Sequence, residues 1–338
     1  RMKMFYKDIC KWFLQQGHIK VVGICNRTPE KIESFAQELG TRVYRKPEHL
    51  LLQEKVDAAI VTVTPPYKDQ LAVSLASHGV HLFIDSPVPG FLNGFRMQRL
   101  AKSKNLKIEI AEEQSFSPEA QFQKKLLISG IFGRLQSVLN QVKEIDYHAL
   151  ARLHNLVGEY AQIMRVSSRN LRLPEDSICS LQEIEFTNLM YFSQYSFPKN
   201  HSLRLEKDFR LICEKGVISQ NEIKHSKHGQ LMIQKQPLTD DGSPQSVVNK
   251  LSIEINQQQF VWENSNLPDK WDRKHHGLYQ LIFYWLKSLR SGSPLLYGLS
   301  KGLQDRSILI AWSLGSKTNL RIYPQWFPII NNVLWKYL

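Results

Sequence analysis

What most constrains this chain is the rhythm of its first 111 residues, where short apolar runs alternate with segments of helical spacing. Phe5, Ile9, Trp12 and Phe13 fall on one face of a helix, and Gly17 stands where that helix should stop. Residues 19–25 form a short apolar run of the kind that makes a strand covered on both sides. Thr28-Pro29-Glu30 then reads as a helix start, with Thr28 as cap and proline in the first turn, and the helix runs to Leu39 before Gly40. A short strand near Val43, a strand over 56–64, a helix over 67–77, a strand over 81–85, a helix over 92–103 and a strand over 106–111 complete the pattern. Such alternation predicts a parallel sheet with helices on its faces, joined by right-handed crossovers.

In open sheets of this kind ligands bind beyond the carboxyl ends of the strands. Four segments fall there: Asn26-Arg27-Thr28, Thr64-Pro65-Pro66, Asp85-Ser86-Pro87 and Glu112-Glu113-Gln114. A dinucleotide-binding sheet should open with a strand and a Gly-x-Gly-x-x-Gly turn. No such run occurs here, and the sequence starts in what should be the next helix. The expectation is a sequence cut just after the glycine turn, so that the first strand of the sheet is missing. The alternative is true loss of the phosphate cradle.

The periodicity changes in the second half. A helix over 118–128 leads through Gly130 and Gly133 to a strand over 136–144 and a helix over 147–157 that Gly158 closes. Strand-like runs follow at 161–168, 178–187, 189–197, 202–208, 210–219, 230–235 and 251–263, and two helices, 275–289 and 300–314, end the pattern. This predicts a large, mostly antiparallel sheet with helices on one face and the other free to pair. The expected organisation is a nucleotide-binding domain over 1–118, an α+β domain over 119–316 for substrate and oligomerisation, and an aromatic tail over 317–338 packed on the body. The tail carries Tyr323, Trp326, Phe327, Trp335 and Tyr337.

Composition narrows the function classes. The net charge of +13 favours an anionic ligand, yet no Lys/Arg block reaches five residues and no nucleic-acid motif is present. The densest basic patches, 224–228 and 273–276, read as solvated surface. Four scattered cysteines, Cys10, Cys25, Cys179 and Cys213, form no Cys-x-x-Cys pair, so neither a zinc site nor a disulfide framework is expected. With no apolar run long enough to span a bilayer, the expectation is a cytoplasmic protein without nucleic-acid or membrane partners.

Two groups of residues carry candidate chemistry. After the second strand of such a fold, an acid would bind ribose hydroxyls, whereas the basic and hydroxylic set Asn26, Arg27 and Thr28 suits a 2′-phosphate. His148 follows Glu144 by four residues and Asp146 by two, and a histidine beside a carboxylate exchanges protons near neutral pH. His154 lies on another face of the same helix. Each has a purely structural alternative: Thr28 as a cap, Arg27 as surface, His148 as a helix-start residue.

The ordered set of segments resembles the Gfo/Idh/MocA family of nicotinamide-dependent oxidoreductases. It comprises Asn26-Arg27-Thr28-Pro29-Glu30, Thr64-Pro65-Pro66, Asp85-Ser86-Pro87, Phe116-Ser117-Pro118, the Ser129–Gly133 turn, His148 ahead of Gly158, and Ser291-Gly292-Ser293-Pro294. The resemblance implies a Rossmann-type domain, an open α/β domain paired into dimers or tetramers, and NADP or NAD as cofactor. It also implies a small polar substrate such as a sugar or cyclitol derivative. On it, Asn26, Arg27, Thr28, Thr64, Pro65, Pro66, Asp85, Pro87 and Glu113 line the cofactor, and His148, Ser86 and Asp85 serve catalysis. The chain departs from the pattern at four places. Ser86 stands for the usual lysine, Ser115 for a usual arginine, Ala151 for the acid that often follows the histidine, and Asp69 near the place of a usual histidine. These departures support a second reading, a relative kept for ligand binding, assembly or regulation.

Overall fold

The computed structural model describes residues 6–65, 67–142, 148–157, 163–172, 178–188, 190–196, 208–219, 222–227, 230–235, 250–263, 273–318 and 321–322. Pro66, Glu144, Asp146, Gly158, the run at 202–208 up to residue 207, and nearly all of the tail lie outside them. The chain divides into two compact units. One holds residues 1–111 and 281–299, the other 112–280 and 300–338.

The first unit is the α/β half. Helix α1 (Lys7–Gln15) buries Ile9, Cys10 and Phe13, and Gly17 ends it in the left-handed conformation at φ 69°. Strands β1 (Gly23–Cys25) and β2 (Arg42–Tyr44) pair in parallel, and β3 (Ala58–Val61), β4 (His81–Asp85) and β5 (Ile108–Ala111) form a separate parallel sheet in that order. Helices α4 (Tyr67–Ser77) and α5 (Phe91–Lys104) are the crossovers from β3 to β4 and from β4 to β5. The strands of β4 and β5 are buried as expected, with Leu82, Phe83, Ile84 and Ile110 fully inside. β1 is not covered on both sides. Gly23 and Ile24 are only half-buried and Cys25 is exposed, because the one described strand bonded to β1 is β2.

Two local readings change. The helix expected from Thr28 to Leu39 is broken: a single 3-10 turn at Pro29–Lys31 precedes α2 (Glu33–Glu38), with Ile32 between them. Thr28 makes no side-chain cap. Instead its own backbone N–H donates to Asn26 Oδ1 at 2.9 Å, an Asx turn that competes with helix entry. A further helix, α3 (Pro47–Gln53), was not anticipated, although Pro47 at its first turn and Glu48 beside it fit a helix start.

The second unit carries a nine-stranded sheet built around β6 (Leu135–Val142), β7 (Ile163–Arg172), β8 (Ile178–Phe186), β9 (Tyr191–Ser196), β10 (Asp208–Cys213), β11 (Gly216–Ile218), β12 (Glu222–Lys227), β13 (Gln230–Lys235) and β16 (Arg321–Ile322). Its order is β13-β12-β11-β10-β6-β9-β8-β7-β16, antiparallel throughout except for the parallel pair β6–β9. The mostly antiparallel sheet is therefore as expected. The run at 251–263 is two strands, β14 (Lys250–Ile255) and β15 (Gln258–Glu263), turned by Asn256 and Gln257 at φ 51° and 65°. Helices α6 (Pro118–Ile128), α7 (His148–Val157) and α9 (Leu299–Thr318) contribute Phe122, Leu126, Leu150, Leu153 and Trp312 to one core with Val138, Ile184, Phe192 and Phe209 of the sheet. Helix α8 (Arg273–Ser291) starts in the second unit, and its residues from Leu281 on belong to the segment 281–299 of the first.

The two basic patches are not simply solvated. Residues 224–227 belong to β12, where Ile223 and His225 point inward, and His276 on α8 is buried. A single apolar residue in β12 is too little to display the period-two pattern.

Candidate functional site

In the first unit the expected residues gather at strand ends. Arg27, just past β1, lies over the ring of Tyr67 at 5.2 Å, so the end of β1 meets the start of α4. Arg27, Thr28, Thr64 and Pro65 are exposed and Asn26 is half-buried. An amide, a guanidinium and a hydroxyl stand here with no carboxylate among them, a donor set that fits a phosphate-bearing ligand.

At the end of β4, Asp85 and Ser86 are buried while Pro87 is exposed, and the Ser86–Pro87 peptide is cis. Asp85 is held rather than open: the Tyr6 hydroxyl donates to its Oδ1 at 3.1 Å. Lys68, in the first turn of α4, is 1% exposed, and its Nζ donates to the Asp85 carbonyl at 2.8 Å and to the Pro87 carbonyl. Asp69 Oδ2 accepts from the Gly90 N–H at 2.7 Å. Lys68 is not among the residues expected from the sequence to serve the site. Its signal was available, because Lys68, Ala72, Leu75 and Ala76 share the buried stripe of α4, where a lysine is out of place.

In the second unit His148 opens α7, and its Nδ1 lies 2.6 Å from Glu112 Oε2. Glu112 is thus the partner in the structure, whereas Glu144 and Asp146 lie outside the described residues. The histidine side chain is 18% exposed and the carboxylate 3%. Burial pushes the Glu112 carboxyl up to about 7 from 4.5; the His148 hydrogen bond opposes that shift, and nearby Glu113 and Asp305 add to it. A buried acid of this kind, hydrogen-bonded to an imidazole, can hold or release a proton near neutrality. His154 belongs to a separate pair, its Nε2 2.8 Å from Asp305 Oδ1, with both side chains buried.

The neighbourhood of the pair is close-packed. Glu113 is buried in a 3-10 turn (Glu113–Phe116), and a Cβ on Gly277 would lie 2.0 Å from its carbonyl oxygen. Ser115 and Ala151 are both fully enclosed, and Asn155 Nδ2 donates to the Ser115 carbonyl at 2.5 Å. Arg152 lies over Phe209 at 4.3 Å and donates to Gln123 Oε1 at 2.6 Å. Among the described residues no cluster of three or more His, Cys, Asp or Glu could hold a metal ion, and no helix is long and apolar enough to cross a membrane.

Comparison with known proteins gives this geometry a context. Residues 3–112 match the GFO_IDH_MocA model, described as an oxidoreductase family with an NAD-binding Rossmann fold. No curated protein sequence matches. Among solved structures, an oxidoreductase from Agrobacterium radiobacter in complex with NAD+, L-tartaric acid and magnesium is similar at 14% identity and TM-score 0.69, over 94% of each chain. The WlbA dehydrogenase from Bordetella pertussis, in complex with NADH and UDP-GlcNAcA, is similar at 16% identity and TM-score 0.64, again over 94% of each chain. The myo-inositol 2-dehydrogenase from Lactobacillus plantarum is similar at 11% identity and TM-score 0.61, over 90% of this chain and 91% of its own. Likeness at these identities establishes the shared two-part fold.

Proposed function

We propose that this chain is a member of the Gfo/Idh/MocA family and an NAD(P)-dependent oxidoreductase, favouring NADP, that moves a hydride to or from a small polar substrate such as a sugar or cyclitol derivative. The observation that carries the reading is the Glu112–His148 pair at 2.6 Å, with a buried carboxylate and a partly exposed imidazole. When bound, the nicotinamide cofactor supplies the hydride donor or acceptor. His148 exchanges the substrate hydroxyl proton through Nε2 while Glu112 orients the ring through Nδ1 and balances the imidazolium charge. Arg27 and Thr28 receive the 2′-phosphate, and the absence of an acid after β1 removes the group that would repel it. Asp85 and Ser86 orient the reacting end of the cofactor, with Thr64, Pro65 and Pro87 lining it. The structures bound to sugar-nucleotide or hydroxy-acid ligands, and the inositol dehydrogenase, are consistent with a polyhydroxylated substrate.

The same reading has the protein in the cytoplasm, in keeping with four unpaired cysteines, and assembled as a dimer or tetramer through the nine-stranded sheet. Met164 on β7 and Tyr191 on β9 are large exposed apolar side chains that such pairing would cover. The deciding experiment is titration with NADPH and NADH, followed by fluorescence. Tight NADPH binding supports the proposal, and binding of neither dinucleotide overturns it.

A second reading, a relative retained for ligand binding, assembly or regulation, draws on the enclosed Ser115 and Ala151, neither of which brings a charge to the site. Binding of a dinucleotide without turnover on a broad panel of polyols and sugar acids would favour it.

A further inference from the structure

We propose that Lys68 is a positioning residue, clamping the Asp85–Pro87 turn from below so that Ser86 is presented to the nicotinamide end of the cofactor. The inference rests on the dinucleotide-binding reading above.

The clamp is visible in the hydrogen bonds. Lys68 Nζ donates to the carbonyls of Asp85 and Pro87, the residues on either side of Ser86. The next residue of α4, Asp69, takes the Gly90 N–H at 2.7 Å, three residues beyond the turn. From the position just before α1, Tyr6 holds the Asp85 carboxylate at 3.1 Å. The segment leaving β4 is therefore fixed at several separate points by side chains of α4 and by Tyr6.

Lys68 does not stand where fold stability alone would put a lysine. It occupies the apolar stripe of α4 with Ala72, Leu75 and Ala76, and it is 1% exposed. An uncharged aliphatic side chain would pack there without loss of hydration. It also lies in the first turn of the helix, the end at which the backbone dipole disfavours a cation. Its bonds to the turn are favourable interactions that help to offset both costs. That turn closes the central strand of β3-β4-β5 at its carboxyl end, the edge where open α/β sheets bind their ligands. Side chains that hydrogen-bond the backbone of a turn at the reacting end keep such a site's geometry fixed.

The experiment compares the protein with Lys68→Met and Lys68→Gln, using two probes: NADPH, and adenosine 2′,5′-bisphosphate, which lacks the nicotinamide half. Thermal unfolding of each variant is recorded alongside. Lys68→Met is expected to weaken NADPH about tenfold or more, while the bisphosphate stays within about threefold of the parent. Lys68→Gln, which keeps an N–H donor on a shorter arm, should fall between. Equal loss of both probes, or failure of both variants to fold, makes Lys68 a scaffold residue and overturns the proposal. Unchanged NADPH binding in Lys68→Met also overturns it but leaves the dinucleotide reading standing. If the unsubstituted protein binds neither probe, the dinucleotide reading falls and this inference falls with it.

Discussion

Replacing Glu112 by Gln tests the proton-holding pair without relying on any assumed substrate. The folded protein raises the Glu112 carboxyl from 4.5 to about 7 because burial penalises its anion. A raised acid binds its proton more tightly folded than unfolded, so the folded state is favoured below 4.5 and loses that advantage as pH climbs through about 7. The shift spans about 2.5 pH units, and at about 1.36 kcal/mol per unit the change is about 3 kcal/mol. Glu112 is 2% exposed, so solvent screening does not erode this figure. Glutamine preserves the shape and keeps an oxygen acceptor for His148 but cannot ionise. The assay is equilibrium urea unfolding of both proteins between pH 4.5 and about pH 8, reading the difference between them so that contributions common to both cancel. The natural protein should lose stability relative to Glu112→Gln as pH rises, by about 3 kcal/mol over the range. A difference that stays flat, or that grows in the natural protein's favour, would refute the claim that Glu112 is a buried acid titrating near neutrality.

Other substitutions probe separate parts of the reading. Arg27→Ala should weaken NADPH by about ten- to a hundredfold, the value of one charge-assisted phosphate contact, and leave NADH within about threefold; fluorescence titration of both cofactors checks it. His148→Ala should lower kcat by about 10²–10⁴ once a substrate is identified, with the NADPH dissociation constant unchanged, as steady-state kinetics and titration together would show. Gly277→Ala should depress the thermal midpoint, since its Cβ would press on the Glu113 carbonyl at 2.0 Å; overpacking of this kind costs about 1–3 kcal/mol.

Much of the fold was readable because its signals are local. The helix over 67–77 and the strand over 81–85 match α4 and β4 residue for residue, since Gly79 separates them and β4 is a short continuous apolar run. Errors arose where a local signal had a rival. Thr28 has the chemistry of a cap, but Asn26 two residues earlier takes its N–H. In β12 the inward positions are filled by Ile223 and His225, and hydrophobicity alone does not mark a buried histidine. The hairpin at 250–263 hid its turn because Asn256-Gln257 lacks the glycine that usually announces one.

The site was less legible for a different reason. His148 could be picked out by its place at a helix start, but the nearest acids in sequence, Glu144 and Asp146, drew attention away from Glu112, 36 residues upstream. Only the packing of α7 against the 3-10 turn that follows β5 brings that pair together, and no periodicity encodes such a contact. Lys68 shows the opposite case. Its distant partners are invisible in sequence, yet its position on an otherwise apolar helical stripe is itself a local anomaly. A buried ionisable residue on a helix face must find compensation somewhere in the fold, and here the turn after β4 supplies two hydrogen bonds of it. Sequence can therefore show that a polar partner must exist even where only topology can name it. The serine in the Asp85-Ser86-Pro87 turn is best understood together with the lysine packed against that turn from α4.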